Sequence, residues 1–481
     1  MRFLVSVWLM LTFSGFAIGK AESPVKTPRP VPATRPEMKQ LLEEMKKRPY
    51  RIPLPALTEK ESEQLGERAS SYEARLRFHY VPAAEGTVFG GVRSQAADRP
   101  SSNGASGTAP RYDFTRNADA NMTLTYQFKT MLFWIVSRTN NCQYCLGHQE
   151  WKLSATGLAD DAIAALDVDW SRYTKKEQAA FAYARLLTYT PHQLSDAEIA
   201  RVGQYYQPAS ILEMTMSISG NNAINRWKEG IGIPQSQGNT FTGRGRVAEA
   251  EVKHSDSFTT PTSNPFATRL SLVAPLEILH GKPSGRGLSE RPATETRSEV
   301  VARMNEAVRR KPRLPLVDDQ TARDWLKSMG QDGPVTNWMK LIANFPNEGG
   351  GRLPSLMARD KQTGDLTELQ KARLNWILAR QDRAWYAVGR AYQSLLALGQ
   401  SENQIFALDG NWEALSESDR SLFTFAKHLG ASPIAATDED AAAALSQNNP
   451  AVVVQTINHV ASCAYFNRVT EAAGLPLETQ P

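Results

Sequence analysis

Three residues near the end of the first third of the chain have the types and spacing to do chemistry. They are Cys142, Cys145 and His148, set in Asn140-Asn141-Cys142-Gln143-Tyr144-Cys145-Leu146-Gly147-His148-Gln149. Thiols spaced Cys-x-x-Cys can cycle between dithiol and disulfide, and an adjacent imidazole can move protons for them. Polar Asn140 and Asn141, followed by the helix-compatible run Gln149-Glu150-Trp151-Lys152-Leu153, predict a helix start with both thiols in its first turn. Unpaired amides and the positive end of the helix dipole favour a thiolate there. At about 100° per residue the trio falls within roughly a 120° arc of one helix face. Two blander roles compete for the cysteines. One is a fixed local disulfide; the other is a metal site, for which Cys-x-x-Cys-x-x-His lacks an obvious fourth ligand. For His148 the competing role is that of a surface helix histidine. The expectation is a dithiol that works without metal or cofactor.

The bulk of the chain narrows the setting. Its 481 residues suffice for about two to four domains with real cores. A hydrophobic fraction of 41% and a charged fraction of 22% are those of a soluble globular protein. Lys plus Arg number 55 against 50 Asp plus Glu, with no run of five or six like charges, so no nucleic-acid partner is expected. Three cysteines are too few for a disulfide-scaffolded fold. The N-terminus has a basic start at Arg2, an apolar stretch from Phe3 to Ile18, and small residues suited to cleavage after Gly19 or Ala21. Residues 1–21 therefore read as a signal peptide, which places the protein in a bacterial periplasm or outside the cell. The competing role is an uncleaved anchor, since the stretch approaches the ~18-residue spanning limit, but Thr12, Ser14 and Gly15 interrupt it. No later segment has the length and apolarity to span, so no stable membrane span is expected after cleavage. In an oxidising compartment a working dithiol needs an external electron source. An unidentified thiol reductant is thus an expected partner.

The elements that must hold the trio read as all-α. Residues 22–116 form a Pro-rich tether, running from Glu22 to about Pro36, and an N-terminal extension. The extension has helical patterns at 37–49 and 58–80 and a Gly/Ala/Ser-rich loop or disordered stretch from Pro82 to Pro110. The dense part begins at Asn117. Residues 123–138 read as a mostly buried helix leading into the cysteines, and further helices are expected at 159–166, 174–189, 195–205 and 208–228. Strand-like alternation is scarce. Residues 235–312 turn to Gly, Ser, Thr and Pro and read as a linker with one apolar island, Leu270 to Leu279, that could dock.

Residues 124–234 align without a gap on 366–476 at a shift of 242. Trp134-Ile135 matches Trp376-Ile377, Arg138 matches Arg380, Tyr144 matches Tyr386, Trp170 matches Trp412 and Asn225-Arg226 matches Asn467-Arg468. A register kept for over a hundred residues indicates a duplication, with the repeats at 117–234 and 313–481. Upstream, Arg51-Ile52-Pro53-Leu54 echoes Arg313-Leu314-Pro315-Leu316 at a longer offset of 262. At the shared offset Cys142 becomes Ala384, Cys145 becomes Ala387 and His148 becomes Arg390. The scaffold residues stay while the reactive trio goes, so the second copy cannot do the same thiol chemistry. The recurring tryptophans Trp134, Trp170, Trp376 and Trp412 are expected in the core, and Tyr144 in packing. Cys463, at the position of Asn221, is expected as a buried thiol, and Asn225 with Arg226 as a buried polar pair fixing a turn.

The run "TMLFWIVSRTNNCQYCLGHQ", continuing to "NNAINRWKEGIGIP", and the second ending "YFNRVTEAAGLPLE" together resemble the carboxymuconolactone decarboxylase/alkylhydroperoxidase-D-like family. The likeness covers 117–234 and 359–476. It implies two tandem antiparallel helical repeats, a fold that commonly forms homo-oligomers, and a dithiol that reduces hydroperoxides with Cys145 peroxidatic and Cys142 resolving. His148 would serve them as proton carrier. Two positions depart from the family pattern. The histidine usually lies four residues after the second cysteine, where this chain has Gln149, and the relay glutamate usually lies twelve before the first, where it has Thr130. Glu150, the nearest acid, projects about 140° from Cys145 on an ideal helix. The competing functions are thiol-disulfide exchange with other proteins and a non-catalytic scaffold or binding protein with a structural disulfide.

Overall fold

The computed structural model describes residues 30–86, 117–239, 241, 271–274 and 294–478. Residues 1–21, read above as a signal peptide, most of the expected tether, residues 87–110 of the expected loop and the far end of the apolar island lie outside the described residues. Among those described there is no strand, and the chain is all-α. No helix among them is long and apolar enough to cross a membrane.

The extension forms α1 (Arg35–Glu44), α2 (Glu59–Leu65) and α3 (Tyr72–Tyr80). The expected single helix over 58–80 is broken at Gly66, which takes φ 54° and starts a short 3-10 turn. Then come α4 (Tyr126–Asn140), α5 (Gln143–Ala155), α6 (Asp160–Val168), α7 (Lys175–Tyr189), α8 (Asp196–Gly203) and α9 (Pro208–Ile231). Side-chain caps set several starts: Thr125, Thr174 and Ser195 each accept the amide three residues on. Pro208 opens α9 at the one turn of a helix that tolerates it.

The second half repeats this layout of bounds. After α10 (Arg297–Val308), α11 (Asp319–Ser328), α12 (Asn337–Ile342) and α13 (Pro346–Ala358) come α14 (Glu368–Asp382) and α15 (Trp385–Ala397). The series ends with α16 (Glu402–Ala407), α17 (Glu417–Gly430), α18 (Asp438–Gln447) and α19 (Pro450–Ala472). Each of α14 to α19 starts 242 residues after its counterpart among α4 to α9. The left-handed residue that ends α4, Asn141 (φ 55°), has Arg383 (φ 52°) at the same shift.

Helices α9 and α19 pack against each other more extensively than any other described pair, and both are buried nearly all round. Gly230 makes the approach possible, because a Cβ there would sit 2.5 Å from Cγ2 of Ile457. Arginines pin the ends of this pair reciprocally. Arg51 donates to the Glu229 carbonyl at 2.6 Å at the end of α9 and reaches across to Asp438 at 2.8 Å. Arg313 donates to the Glu471 carbonyl at 3.1 Å at the end of α19 and reaches back to Asp196 at 2.7 Å.

A buried polar network crosses the middle of the interface. Arg226 donates to the Ala431 carbonyl at 3.0 Å and to the Ser432 hydroxyl at 2.5 Å. Arg468 donates to the same hydroxyl at 3.2 Å, to the Thr188 carbonyl at 3.0 Å and to Asp382 at 3.1 and 3.3 Å. Asn225 and Arg226 are buried as expected; Asn225 accepts from Asn140 at 2.8 Å and donates to Ser137 at 3.3 Å at the end of α4, whereas Arg226 joins the two halves.

Three sequence expectations change. The end of the tether is docked: Val31 and Pro32 are buried, and the Pro32 carbonyl accepts from Arg138 at 2.6 Å. The linker contains a helix, α10, started by a Thr296/Glu299 capping box and held by a buried stripe of Val300, Met304 and Ala307. Trp134 and Trp376 are fully buried, whereas Trp170 and Trp412 are half-buried, each donating its indole N–H to the carbonyl four residues back at 2.8 Å. The described part of the apolar island docks as expected: the Leu272 amide donates to the Asp167 carbonyl at 2.7 Å.

The ion pair of Arg468 with Asp382 sits out of water, so removing one partner strands the other charge. Arg468→Met should cost about 3–5 kcal/mol in chemical unfolding. Asp382→Asn should cost less, about 1–2 kcal/mol, because the asparagine keeps an acceptor and the Thr188 carbonyl and Ser432 hydroxyl still accept from Arg468. Equal costs for the two variants would contradict the argument.

Candidate functional site

The chain reverses between α4 and α5 on Asn141, whose left-handed backbone lets the Cys142 amide return to the Ser137 carbonyl at 2.9 Å. Cys142 is the cap residue of α5 and Cys145 its third residue, so the thiols occupy the first turn as expected. Neighbours fix that turn. Asn141 and Gln143 donate side-chain amides to the Pro30 carbonyl at 3.4 and 3.3 Å. Gln235 donates to the Gln143 and Tyr144 carbonyls at 2.9 and 2.8 Å. Its amide lies across Gly147, where any Cβ would collide with it and with Phe241.

A cleft of about 200 Å³ opens beside this turn. Helix α5 lines it with Tyr144, Cys145, His148, Gln149 and Lys152; α4 adds Phe133, α9 adds Ile224 and Lys228, and α3 adds Glu73. The structure brings Cys145 and His148 together in the cleft wall. Cys142 is fully buried behind the wall, in side-chain contact with Cys145, and both are free thiols. The expectation that the helix start favours a thiolate does not hold for Cys142. Burial pushes that thiol well above its ordinary value, the Cys145 sulfur adds to the rise, and the Cys145 amide offsets only part of it.

His148 is stacked between Tyr144 and Trp151, with ring centroids 6.1 Å away on either side. Burial, followed by the charges of Lys152 and Lys228, brings its imidazole down to about 3, against a smaller upward pull from Glu73. The ring is therefore neutral at neutral pH. Burial also acts against the charge of Glu73, but Lys228 and Arg77 outweigh it and bring that carboxyl down to about 2. Glu73 accepts from Lys228, from the Trp227 indole at 2.7 Å and from Arg77 at 3.2 Å. The Lys228 ammonium also lies 5.0 Å from the centre of the Tyr144 ring.

Glu73, Lys152 and Lys228 were not among the residues that the sequence pointed to. Lys152 had a signal, because seven residues after Cys145 is two turns further along nearly the same helix face. Glu73 had none: it comes from the extension, 69 residues before Cys142 in the chain. It is the acid of the cleft, whereas the candidates nearer in sequence are used elsewhere. Thr130 donates its hydroxyl to the Tyr126 carbonyl within α4 at 2.8 Å. Glu150 is held by Arg35 at 2.9 and 3.0 Å and by the Trp134 indole at 2.6 Å. Tyr144, expected in packing, stacks on His148 and lines the cleft. Cys463 is buried and its thiol is pushed up to about 12 by burial. Among the described residues no group of three or more His, Cys, Asp or Glu converges as a metal site would.

A neutral His148 has two measurable consequences. Its imidazole NMR signals, assigned through the loss in His148→Gln, should not titrate between pH 7 and 5. Because the folded value lies below the unfolded one of about 6.5, the unfolded chain binds a proton that the folded chain refuses, and stability falls as pH drops below about 6.5. His148→Gln should lose less stability than wild type between pH 7 and 5; a histidine titrating near 6 would overturn the assignment. Compared with models of known protein families and with curated proteins, the chain matches none, and the geometry of the cleft carries the functional argument.

Proposed function

We propose that the protein is a thiol-dependent hydroperoxide reductase, an exported antioxidant enzyme with Cys145 and Cys142 as its dithiol. The observation that carries this is the placement of the sulfurs: Cys145 faces a small cleft and Cys142 touches it from behind, out of the substrate's reach. The resemblance of the sequence around the thiols to the alkylhydroperoxidase-D-like family supports the same assignment, as does the loss of all three reactive residues at Ala384, Ala387 and Arg390.

In the reaction, the Cys145 thiolate attacks the terminal oxygen of ROOH, an S–O bond forms and the O–O bond breaks. The alkoxide leaves and takes a proton to become ROH. Cys142 then attacks the sulfenic sulfur, the S–S bond forms and water leaves. A thiol reductant returns two electrons and two protons to reopen the disulfide. A neutral imidazole with so low an affinity does not store the thiol proton. His148 accepts it only as thiolate charge develops beside it and passes it to the departing oxygen. The raised value of Cys142 suits a resolving thiol, which has to react only once a sulfenic acid stands against it. The second half of the chain serves as the packing partner of the first, through α9 and α19.

Thiol exchange with a protein disulfide is less well supported, because Cys145 is only 2% exposed and a folded partner could not reach it without the cleft opening. The test is intact mass and peroxide consumption after one equivalent of an organic hydroperoxide meets the reduced protein. Wild type should lose about 2 Da within seconds, Cys145→Ser should stay inert, and Cys142→Ser should gain about 16 Da as a sulfenic acid. Thiols that ignore peroxide but exchange with a protein disulfide would transfer the assignment to exchange. Thiols that do neither would leave a structural pair.

A further inference from the structure

We propose that the hydroperoxide taken by this cleft carries an anionic group, a carboxylate above all, and that Lys152 binds it; this rests on the peroxidase function proposed above. The cleft holds two lysines, one glutamate and a neutral imidazole. Glu73 is committed to Lys228, Trp227 and Arg77. Lys152 is left as the surplus cation: among the described residues no carboxylate pairs with it, and its ammonium lies 5.8 Å from the centre of the Tyr126 ring. An ammonium half-withdrawn from water beside an apolar wall is costly unless an anion joins it.

A second atom marks where the peroxide end would lie. Gln149 is 1% exposed, lines the cleft four residues after Cys145, and its Oε1 is buried with no hydrogen-bond partner among the described residues. A hydroperoxide is a donor through its terminal O–H, which this acceptor fits. Lys152 stands two turns from Cys145, about 10 Å along the helix axis, with apolar Phe133 and Ile224 also lining the cleft. A peroxide at one end, a carboxylate at the other and hydrocarbon between match that layout.

The second half supplies an internal contrast. At the same shift of 242, Lys152 becomes Ser394, Lys228 becomes Thr470, Gln149 becomes Ala391 and Phe133 becomes Asn375. The cations and the lone acceptor are absent where the thiols are absent, as expected of groups that serve the substrate and not the fold. The cavity that contains Asn375 and Ser394 is instead lined by two carboxylates, Asp360 and Glu368.

The experiment compares oxidation of the reduced full-length protein by three oxidants below their micelle concentrations: a fatty-acid hydroperoxide, its methyl ester, and tert-butyl hydroperoxide. Rates are read by tryptophan fluorescence and intact mass. Wild type should react about tenfold faster with the acid than with the ester, the factor that one hydrogen bond to a charged group confers. Lys152→Met should bring that ratio close to one, and Lys152→Arg should keep most of it. Equal rates for acid and ester in wild type, or a ratio that survives Lys152→Met, would overturn the inference while rapid tert-butyl hydroperoxide turnover left the peroxidase function standing. Failure of all three oxidants to modify Cys145 would overturn both.

Discussion

Two guanidinium groups with no access to water, Arg226 and Arg468, meet on one hydroxyl, Ser432, and much of the molecule is arranged to make that tolerable. A buried cation needs several well-placed acceptors, so side chains and carbonyls from both halves converge there. Asn140 is one of them. It accepts from Ser432 at 2.8 Å and donates to Asn222 and Asn225 at 2.9 and 2.8 Å, while its carbonyl accepts the Ile434 amide at 2.9 Å. Asn140 is the last residue of α4, and Cys142 follows two residues later. The position of the thiols is therefore set from the interface between the halves as much as from their own helix.

Within the cleft, burial outweighs local helix electrostatics. A helix N-terminus contributes at most about 1–2 kcal/mol toward a thiolate, and at Cys142 burial, the largest influence, carries the thiol upward despite it. The same competition makes His148 neutral while two lysines stand near it. Glu73 keeps its charge in the cleft because Lys228 and Arg77 hold it. A dithiol in this setting is poised by its neighbours' charges and by which sulfur the cleft admits.

Those terms decide what the sequence could disclose. The helices around the site were legible because caps and apolar spacing are local: Thr125, Thr174 and Ser195 announce their helices. The Cys-x-x-Cys turn was legible for the same reason. The acid of the cleft was not, because Glu73 sits among Tyr72, Arg75 and Arg77 in what reads as an ordinary solvated helix, and only packing against α9 gives it Trp227 and Lys228. Nor was the role of Arg226, whose partners Ala431 and Ser432 lie some two hundred residues on. Helix α10 was hidden by the Gly, Ser and Pro composition that precedes it, although its Thr296/Glu299 box was in plain view.

The two halves differ where function would require it and agree where packing would. Arg226 and Arg468 occupy matched positions, yet where the second half has Asp382 paired with Arg468, the first half has Asn140, which bonds Asn222, Asn225 and Ser432. A carboxylate at Asn140 would put a second anion beside the turn that carries Cys142, whose thiol is already disfavoured as an anion by burial and by Glu229. The amide keeps the hydrogen bonds and omits the charge. In the second half Ala384 and Ala387 leave nothing for a carboxylate to disturb, and Asp382 can neutralise its arginine directly. The half that carries the thiols thus has an amide at the position where the other half holds a full charge against its arginine.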